Sequence, residues 1–175
     1  MLIEKKPMQT LFTESEIKRI INILSQKIKA QKHDRPPVII CILNSAVFFF
    51  TDLVRELGAV EIDFVKVSYT DKRNLSSYYL SLAPYTDIEN RDVYLVDDLI
   101  NTGRTMNFAL SELSQKNPKS LTPVALFAKY PHNFTELYLG QPIQDEIIMA
   151  GYGVDGRDGI GRNLRDIHGV HIEVD

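Results

Sequence analysis

One run constrains the fold more than any other: Val93-Tyr94-Leu95-Val96-Asp97-Asp98-Leu99-Ile100-Asn101-Thr102-Gly103-Arg104-Thr105. It reads as a short apolar strand over Val93–Val96, two consecutive carboxylates, a turn of small residues, and a helix over Thr105–Gln115. In open α/β sheets, ligands bind beyond the carboxyl ends of the strands, which is where this turn falls. Asn101 to Thr105 would present backbone N–H groups and two hydroxyls at a helix N-terminus. That geometry suits a phosphate dianion and is aided by the helix dipole. Gly103 permits close approach to the backbone. Asp97 and Asp98 stand where their oxygens would hold sugar hydroxyls or magnesium, a hard cation that prefers oxygen ligands. The plainer alternative has the two aspartates only capping the turn.

The flanking chain alternates strands and helices. Thr13 and Glu16 form a capping-box signature ahead of Ile17, Ile20, Ile21, Leu24 and Ile28, a single apolar stripe on a helix ending near Ala30. Pro36-Pro37 breaks the chain. The apolar run Val38–Leu43 has the pattern of a strand buried on both faces. Ala46–Leu57 reads as a helix stopped by Gly58. Ile62–Val67, Tyr78–Leu82, Pro123–Ala128 and Ile147–Ala150 read as further strands. The order predicts an α/β fold around a mainly parallel sheet, in one domain spanning residues 1–175. Ser68 to Ser77 is polar and aperiodic, which predicts an exposed, mobile loop; Gly151 to Asn163 is the other expected functional loop.

Composition removes several alternatives. A net charge of −3 argues against a broad nucleic-acid surface, while a local basic pocket for an anion stays compatible with it. The most apolar stretch, Val38 to Phe50, is interrupted by Asn44 and Ser45 and is too short to cross a bilayer. Met1 to Thr10 is charged without an apolar core, unlike a secretory signal, so a cytoplasmic location is expected. Cys41 is the one cysteine and reads as a buried, inert thiol. Gly151-x-Gly153-x-x-Gly156 fits a dinucleotide fingerprint but opens no helix, and Asp155, Asp158 and Asp166 lack the glycine and glutamate of a calcium loop. The four histidines show no ligand spacing.

The segment 93–105 resembles the 5-phosphoribosyl-1-pyrophosphate (PRPP) motif of the type I phosphoribosyltransferases, and most of the chain is similar to the hypoxanthine-guanine members of that family. The resemblance implies a mainly parallel central sheet flanked by helices, with a mobile lid loop and a small hood. It places Asp97 and Asp98 at the ribose hydroxyls and Asn101, Thr102, Gly103, Arg104 and Thr105 at the 5′-phosphate. Leu43, Asn44 and Ser45 resemble the pyrophosphate loop, with a non-proline cis peptide between Leu43 and Asn44. Ser68-Tyr69 matches the lid pair, and Lys129 the strand-end lysine that reads the purine 6-oxo group. Ile148, Met149 and Asp155 join Lys129 around the base, and Asp155 joins Asp97 and Asp98 at magnesium. Arg162 resembles the pyrophosphate arginine, with Arg165 as the alternative.

Four positions depart from that pattern. Asn101 stands where an aspartate takes or shares the purine N7 proton, and an amide is no base at neutral pH. Asn44 replaces the lysine of the pyrophosphate loop, Arg104 a lysine of the phosphate turn, and Ile148 an aromatic ring that stacks on the purine. The reading implied is transfer of phosphoribosyl from PRPP to hypoxanthine or guanine in purine salvage, with Mg2+, by a homodimer or homotetramer. Transfer to another base such as uracil or xanthine, and non-catalytic PRPP or nucleotide sensing, are the alternatives.

Overall fold

The structure is a computed structural model that describes residues 9–129, 134, 136–143, 147–155 and 160–171. Helix α1 (Glu14–Lys29) begins where the capping box predicts. Thr13 N–H donates to Glu16 Oε2 at 2.8 Å and Glu16 N–H to the Thr13 hydroxyl at 3.4 Å. Ile17, Ile21, Leu24 and Ile28 are each buried to 2% exposure or less. Each such side chain is worth roughly 1.5–3 kcal/mol on burial, against about 1 kcal/mol for an N-cap. Packing of the stripe, more than its cap, therefore holds α1.

Beyond strand β1 (Gln9–Phe12) and α1, the order is β2 (Val38–Ile42), α2 (Val47–Leu57), β3 (Glu61–Tyr69), β4 (Tyr78–Leu82), β5 (Asp92–Ile100), α3 (Arg104–Ser114), β6 (Ser120–Lys129), β7 (Tyr138–Ile143), β8 (Ile147–Ala150) and β9 (Ile167–His171). Six strands form the central sheet in the order β4-β3-β2-β5-β6-β7, all parallel except the β3–β4 hairpin. Alternate side chains sort into two layers. Ile39, Cys41, Tyr94, Val96, Val124 and Leu126 pack with α1 and α2. Val38, Ile40, Ile42, Val93, Leu95 and Ala125 pack with Met106, Ala109 and Leu113 of α3. Helices thus cover both faces, as the buried run of β2 requires.

The structure corrects three expectations. The strand expected over Val93–Val96 runs on to Ile100, because β6 keeps pairing with it as far as Ile100 opposite Ala128. Ser68 and Tyr69 belong to β3, opposite Tyr79 and Tyr78, so the expected loop shrinks to residues 70–77 and contains a 3-10 turn, Leu75–Ser77. A second, antiparallel sheet, β1-β9-β8, joins the two ends of the chain. Strands β1, β7 and β9 carry weak sequence signals. β1 is short and half exposed, β7 contains Gly140 and Pro142, and β9 has Gly169 at its centre. Gly140 has a packing reason: a Cβ there would run into Ile20 of α1 and the Leu126 carbonyl.

Candidate active site

Strand β2 pairs with β5 only up to Cys41 opposite Val96, and the chain then turns away at a cis peptide between Leu43 and Asn44, where the resemblance puts one. β5 continues past that point. The difference opens a cleft of about 300 Å³ lined by Ile42, Leu43, Ser45, Val67, Asp97, Asp98, Leu99, Thr105, Val154, Asp155 and Arg162. It lies at the carboxyl ends of parallel strands, where the chain leaves β2 in both lateral directions, the switch point at which open sheets bind ligands.

Asp97 and Asp98 form the floor, at 7% and 2% exposure. The Asp98 N–H donates to Asp97 Oδ1 at 3.0 Å, and the Ser45 hydroxyl donates to Asp98 Oδ1 at 2.8 Å. Burial, followed by the neighbouring Asp98 carboxylate, pushes the Asp97 carboxyl well above the usual carboxylate range. Hydroxyl donors or a cation brought against this pair would be strongly favoured. Burial, with the two aspartates behind it, also raises the Cys41 thiol, which keeps it inert as expected.

The turn from β5 to α3 passes through Gly103 at φ 73°, and α3 starts without a side-chain cap. Its first N–H groups are thus left for other acceptors. A Cβ on Gly103 would stand 3.3 Å from the Phe134 ring. Of the turn residues, Thr105 lines the cleft, while Asn101 and Thr102 are exposed above it. The Arg104 guanidinium points elsewhere: its Nη1 donates to the Lys72 carbonyl at 2.7 Å, in the 70–77 turn. Leu43 and Ser45 line the cleft and Asn44 is exposed. Ser68 donates to the Ser81 hydroxyl at 2.8 Å, and the Tyr69 ring lies 5.4 Å from that of Tyr78.

The loop after β8 closes the cleft from the side of the small sheet. Tyr152 is buried at φ 49°, and its hydroxyl donates to Asp52 of α2 at 2.5 Å. Burial, then the Asp52 carboxylate, raises the Tyr152 phenol, which stays a donor. Gly153, at φ 95°, lies so close to the Ser45 carbonyl that no Cβ fits between them. Arg162 pairs with Asp155 and donates to the Gly153 carbonyl at 3.3 Å. Arg165 is 80% exposed and pairs with Glu14 at 3.1 Å, so of the two arginines Arg162 is the one in the cleft.

The residues expected around the base are less converged. Lys129 ends β6 opposite Ile143 and is half-buried. Ile148 is also half-buried, whereas the Met149 side chain, 3% exposed, packs into the core with α1 and α2. Adjacent strand residues face opposite ways, so the Met149 side chain faces inward and any contact it makes with a base would come from its backbone. None of the three lines the cleft. Sequence reasoning quoted Ile42, Leu99 and Val154 within motifs but gave them no role of their own, passed over Val67 near the end of β3, and missed the Tyr152–Asp52 link. Gly151 and Val154 bridge in a tight turn, so the glycine decoy opens no helix as far as Asp155; Gly156 and Asp158 lie outside the described residues. His33 lies 3.1 Å from Asp92 in a structural pair and His168 3.3 Å from the Thr10 hydroxyl. His132 is outside the described residues. Among the described residues there is no cluster of three His, Cys, Asp or Glu side chains.

Comparison with known proteins agrees with this geometry. A family model described as a phosphoribosyl transferase domain matches residues 8–133. The chain is 32% identical over 153 residues to the hypoxanthine-guanine-xanthine phosphoribosyltransferase of Tritrichomonas foetus, covering 84% of this chain and 83% of that one. It is 31% identical to the hypoxanthine-guanine phosphoribosyltransferase of Aquifex aeolicus, over 96% of this chain and 97% of the relative. The crystal structure of a hypoxanthine-guanine phosphoribosyltransferase from Bacillus anthracis superposes with a TM-score of 0.85 at 27% identity, covering 93% and 98% of the two chains. The hypoxanthine phosphoribosyltransferase of Trypanosoma cruzi in complex with the product IMP gives 0.82 at 27% identity, over 99% and 97%. With the family model covering most of its length and relatives above 30% identity along nearly all of it, this chain belongs to the phosphoribosyltransferase family and has its mainly parallel α/β fold.

Proposed function

We propose that the chain transfers the phosphoribosyl group of PRPP to hypoxanthine or guanine, releasing pyrophosphate and forming the nucleoside monophosphate, as a purine-salvage enzyme. The observation that carries this reading is the buried Asp97-Asp98 pair beside the uncapped start of α3, in a cleft that also holds Ser45, Asp155 and Arg162. In this reading Asp97 and Asp98 accept hydrogen bonds from the ribose hydroxyls. The 101–105 turn holds the 5′-phosphate through its N–H groups and the Thr102 and Thr105 hydroxyls. Leu43, Asn44 and Ser45, with Arg162, face the pyrophosphate.

The C1–O bond to pyrophosphate breaks, the bond from C1 to the purine nitrogen forms, and the purine proton passes to solvent. Positive charge develops on the sugar between these events, and the carboxylates of the floor stabilise it. Magnesium, which keeps several waters and takes few protein carboxylates, would find oxygen donors in Asp97, Asp98 and Asp155, which line one cleft without forming a three-carboxylate cluster. When bound, the ion would neutralise charge on the departing diphosphate. Lys129 donates to the 6-oxo group, Ile148 supplies an apolar face, and Asn101 hydrogen-bonds N7 without accepting its proton. The 70–77 turn, with Ser68 and Tyr69 at its base, acts as the lid that excludes water. The chain works as one domain, the small sheet serving as hood, in a cytoplasmic homodimer or homotetramer with no nucleic-acid or membrane partner. No helix among the described residues is long and apolar enough to cross a membrane.

Pyrophosphate release from PRPP with magnesium, measured with hypoxanthine, guanine, xanthine, adenine and uracil, tests the reading. Turnover with the first two is expected. Turnover with uracil alone, or tight PRPP binding with no turnover on any base, overturns it.

A further inference from the structure

We propose that Lys72, on the turn between β3 and β4, contacts the substrate as the cation that grips the diphosphate of PRPP and of released pyrophosphate. The inference rests on the transferase reading above and adds a residue to it. It starts from charge. The cleft lining brings three carboxylates, Asp97, Asp98 and Asp155, against one guanidinium, Arg162, which is already paired with Asp155. Magnesium would offset part of the charge of an entering diphosphate in the reading above, and cations at the rim would offset more of it.

The cations beside the cleft are few, and their geometry separates them. Arg104 directs Nη1 to the Lys72 carbonyl. Arg73 turns to Asp71, 3.3 Å away, and is 89% exposed. Asn44, at the turn beyond β2, carries no charge. Lys72 differs in being held at its backbone while its ammonium meets no carboxylate hydrogen bond among the described residues. Its carbonyl accepts from Arg104 at 2.7 Å and from the Tyr78 hydroxyl at 3.1 Å, which ties the residue to α3 and to the hairpin at once. Arg104 adjoins Thr105 of the cleft wall, and Tyr78 of β4 pairs with Tyr69 of β3, two residues beyond Val67 of that wall. The Lys72 ammonium stands 5.1 Å from the centroid of the Tyr69 ring, a contact that places a cation without neutralising it. Tyr69 is the main influence that keeps that ammonium charged, with Asp155 of the cleft wall a minor one. A lysine so placed is a point charge on a flexible stem, able to leave the ring face for an anion beside it.

The test is calorimetric titration of the full chain with magnesium pyrophosphate, with PRPP and with IMP. Lys72→Met should weaken binding of both diphosphates about tenfold and flatten their salt dependence. Lys72→Arg should restore most of the affinity. IMP, which has no diphosphate, should bind the Lys72→Met protein as it binds wild type. Arg73→Met, which removes the same charge from the same turn but from a side chain already paired with Asp71, should cost much less. The proposal is overturned if Lys72→Met binds pyrophosphate like wild type, if Arg73→Met loses as much, or if IMP affinity falls in parallel. A wild-type chain that binds neither diphosphate sinks the transferase reading itself, and this inference with it.

Discussion

Gly153 and Gly58 offer a paired test of how the hood loop holds the cleft. Both take positive φ, +95° and +84°, but their surroundings differ. At Gly58, after α2, a Cβ would meet nothing within 4 Å. At Gly153 it would fall on the Ser45 carbonyl oxygen, inside the 3.0 Å that real Cβ atoms respect, and the two loops would have to part by roughly an ångström. Gly58→Ala therefore measures backbone strain alone, about 1–3 kcal/mol. Gly153→Ala adds an overpacking cost of about 1–3 kcal/mol, for a total of roughly 2–6 kcal/mol, or about 4–24 °C in Tm for a chain of this size. The functional effect should differ more sharply. Ser45 donates to Asp98, so pushing its backbone away withdraws that hydroxyl and moves the loop proposed to face pyrophosphate. Urea denaturation gives the stabilities, and PRPP titration of the folded variants gives the affinities. Equal destabilisation by the two substitutions would refute the steric argument. Wild-type PRPP affinity in Gly153→Ala would refute the coupling of hood to cleft.

Other substitutions probe single atoms. Asn101→Asp restores a carboxylate beside the purine and should raise the single-turnover rate by about tenfold or more, with PRPP affinity little changed; a flat or lower rate means the site is adapted to an amide. Lys129→Ala should lower kcat/KM for hypoxanthine and guanine by about 10- to 100-fold and leave PRPP affinity alone; an unchanged rate removes Lys129 as the reader of the 6-oxo group. Burial pushes the Asp63 carboxyl up, but the N–H groups of Thr86 at 2.5 Å and Phe64 at 2.7 Å outweigh it and hold its pKa below the ordinary 3.8. A carboxylate lowered on folding stabilises the fold above its unfolded value and stops doing so as pH falls through the folded one. Wild type should then outlast Asp63→Asn in urea at neutral pH and lose that advantage below about pH 4; an advantage that persists at pH 2 contradicts the assignment.

What the sequence made legible, and what it did not, follows from how local each signal was. α1, β2, α2, β4 and β8 each carry their own local pattern, and each forms within a residue or two of its expected place. β1, β7 and β9 exist because of partners far along the chain, as in Gln9 opposite Gly169, and no local pattern encodes that. The same division runs through the site. Asp97, Asp98, Ser45, Thr105, Asp155 and Arg162 were named from motifs and do meet in the cleft. Met149 was named by resemblance, and alternation turns its side chain into the core. Arg162 and Arg165 are three residues apart in a polar stretch, and only the fold shows that one pairs with Asp155 and the other with Glu14. Tyr152 and Asp52 are 100 residues apart and had no sequence signal at all.

The cleft itself comes from unequal strand lengths. β2 has five residues, while β5 has nine and β6 ten. β6 therefore continues to pair with β5 beyond Asp97, after β2 has dropped away at Cys41. On the β6 side the strand stays fixed, and on the β2 side it is bare. A carboxylate pair placed one position earlier, at 96 and 97, would put a charge opposite Cys41 inside the two-sided core, a cost of several kcal/mol with nothing to offset it. Placed where they are, the two aspartates are held rigidly by a paired strand yet face the space that β2 leaves. This is why a strand expected to stop at Val96 has to run on to Ile100: without β6 behind them, Asp97 and Asp98 would sit on a loop. Rigid carboxylates suit a reaction that develops charge on a sugar, because a preorganised site need not rearrange as that charge appears.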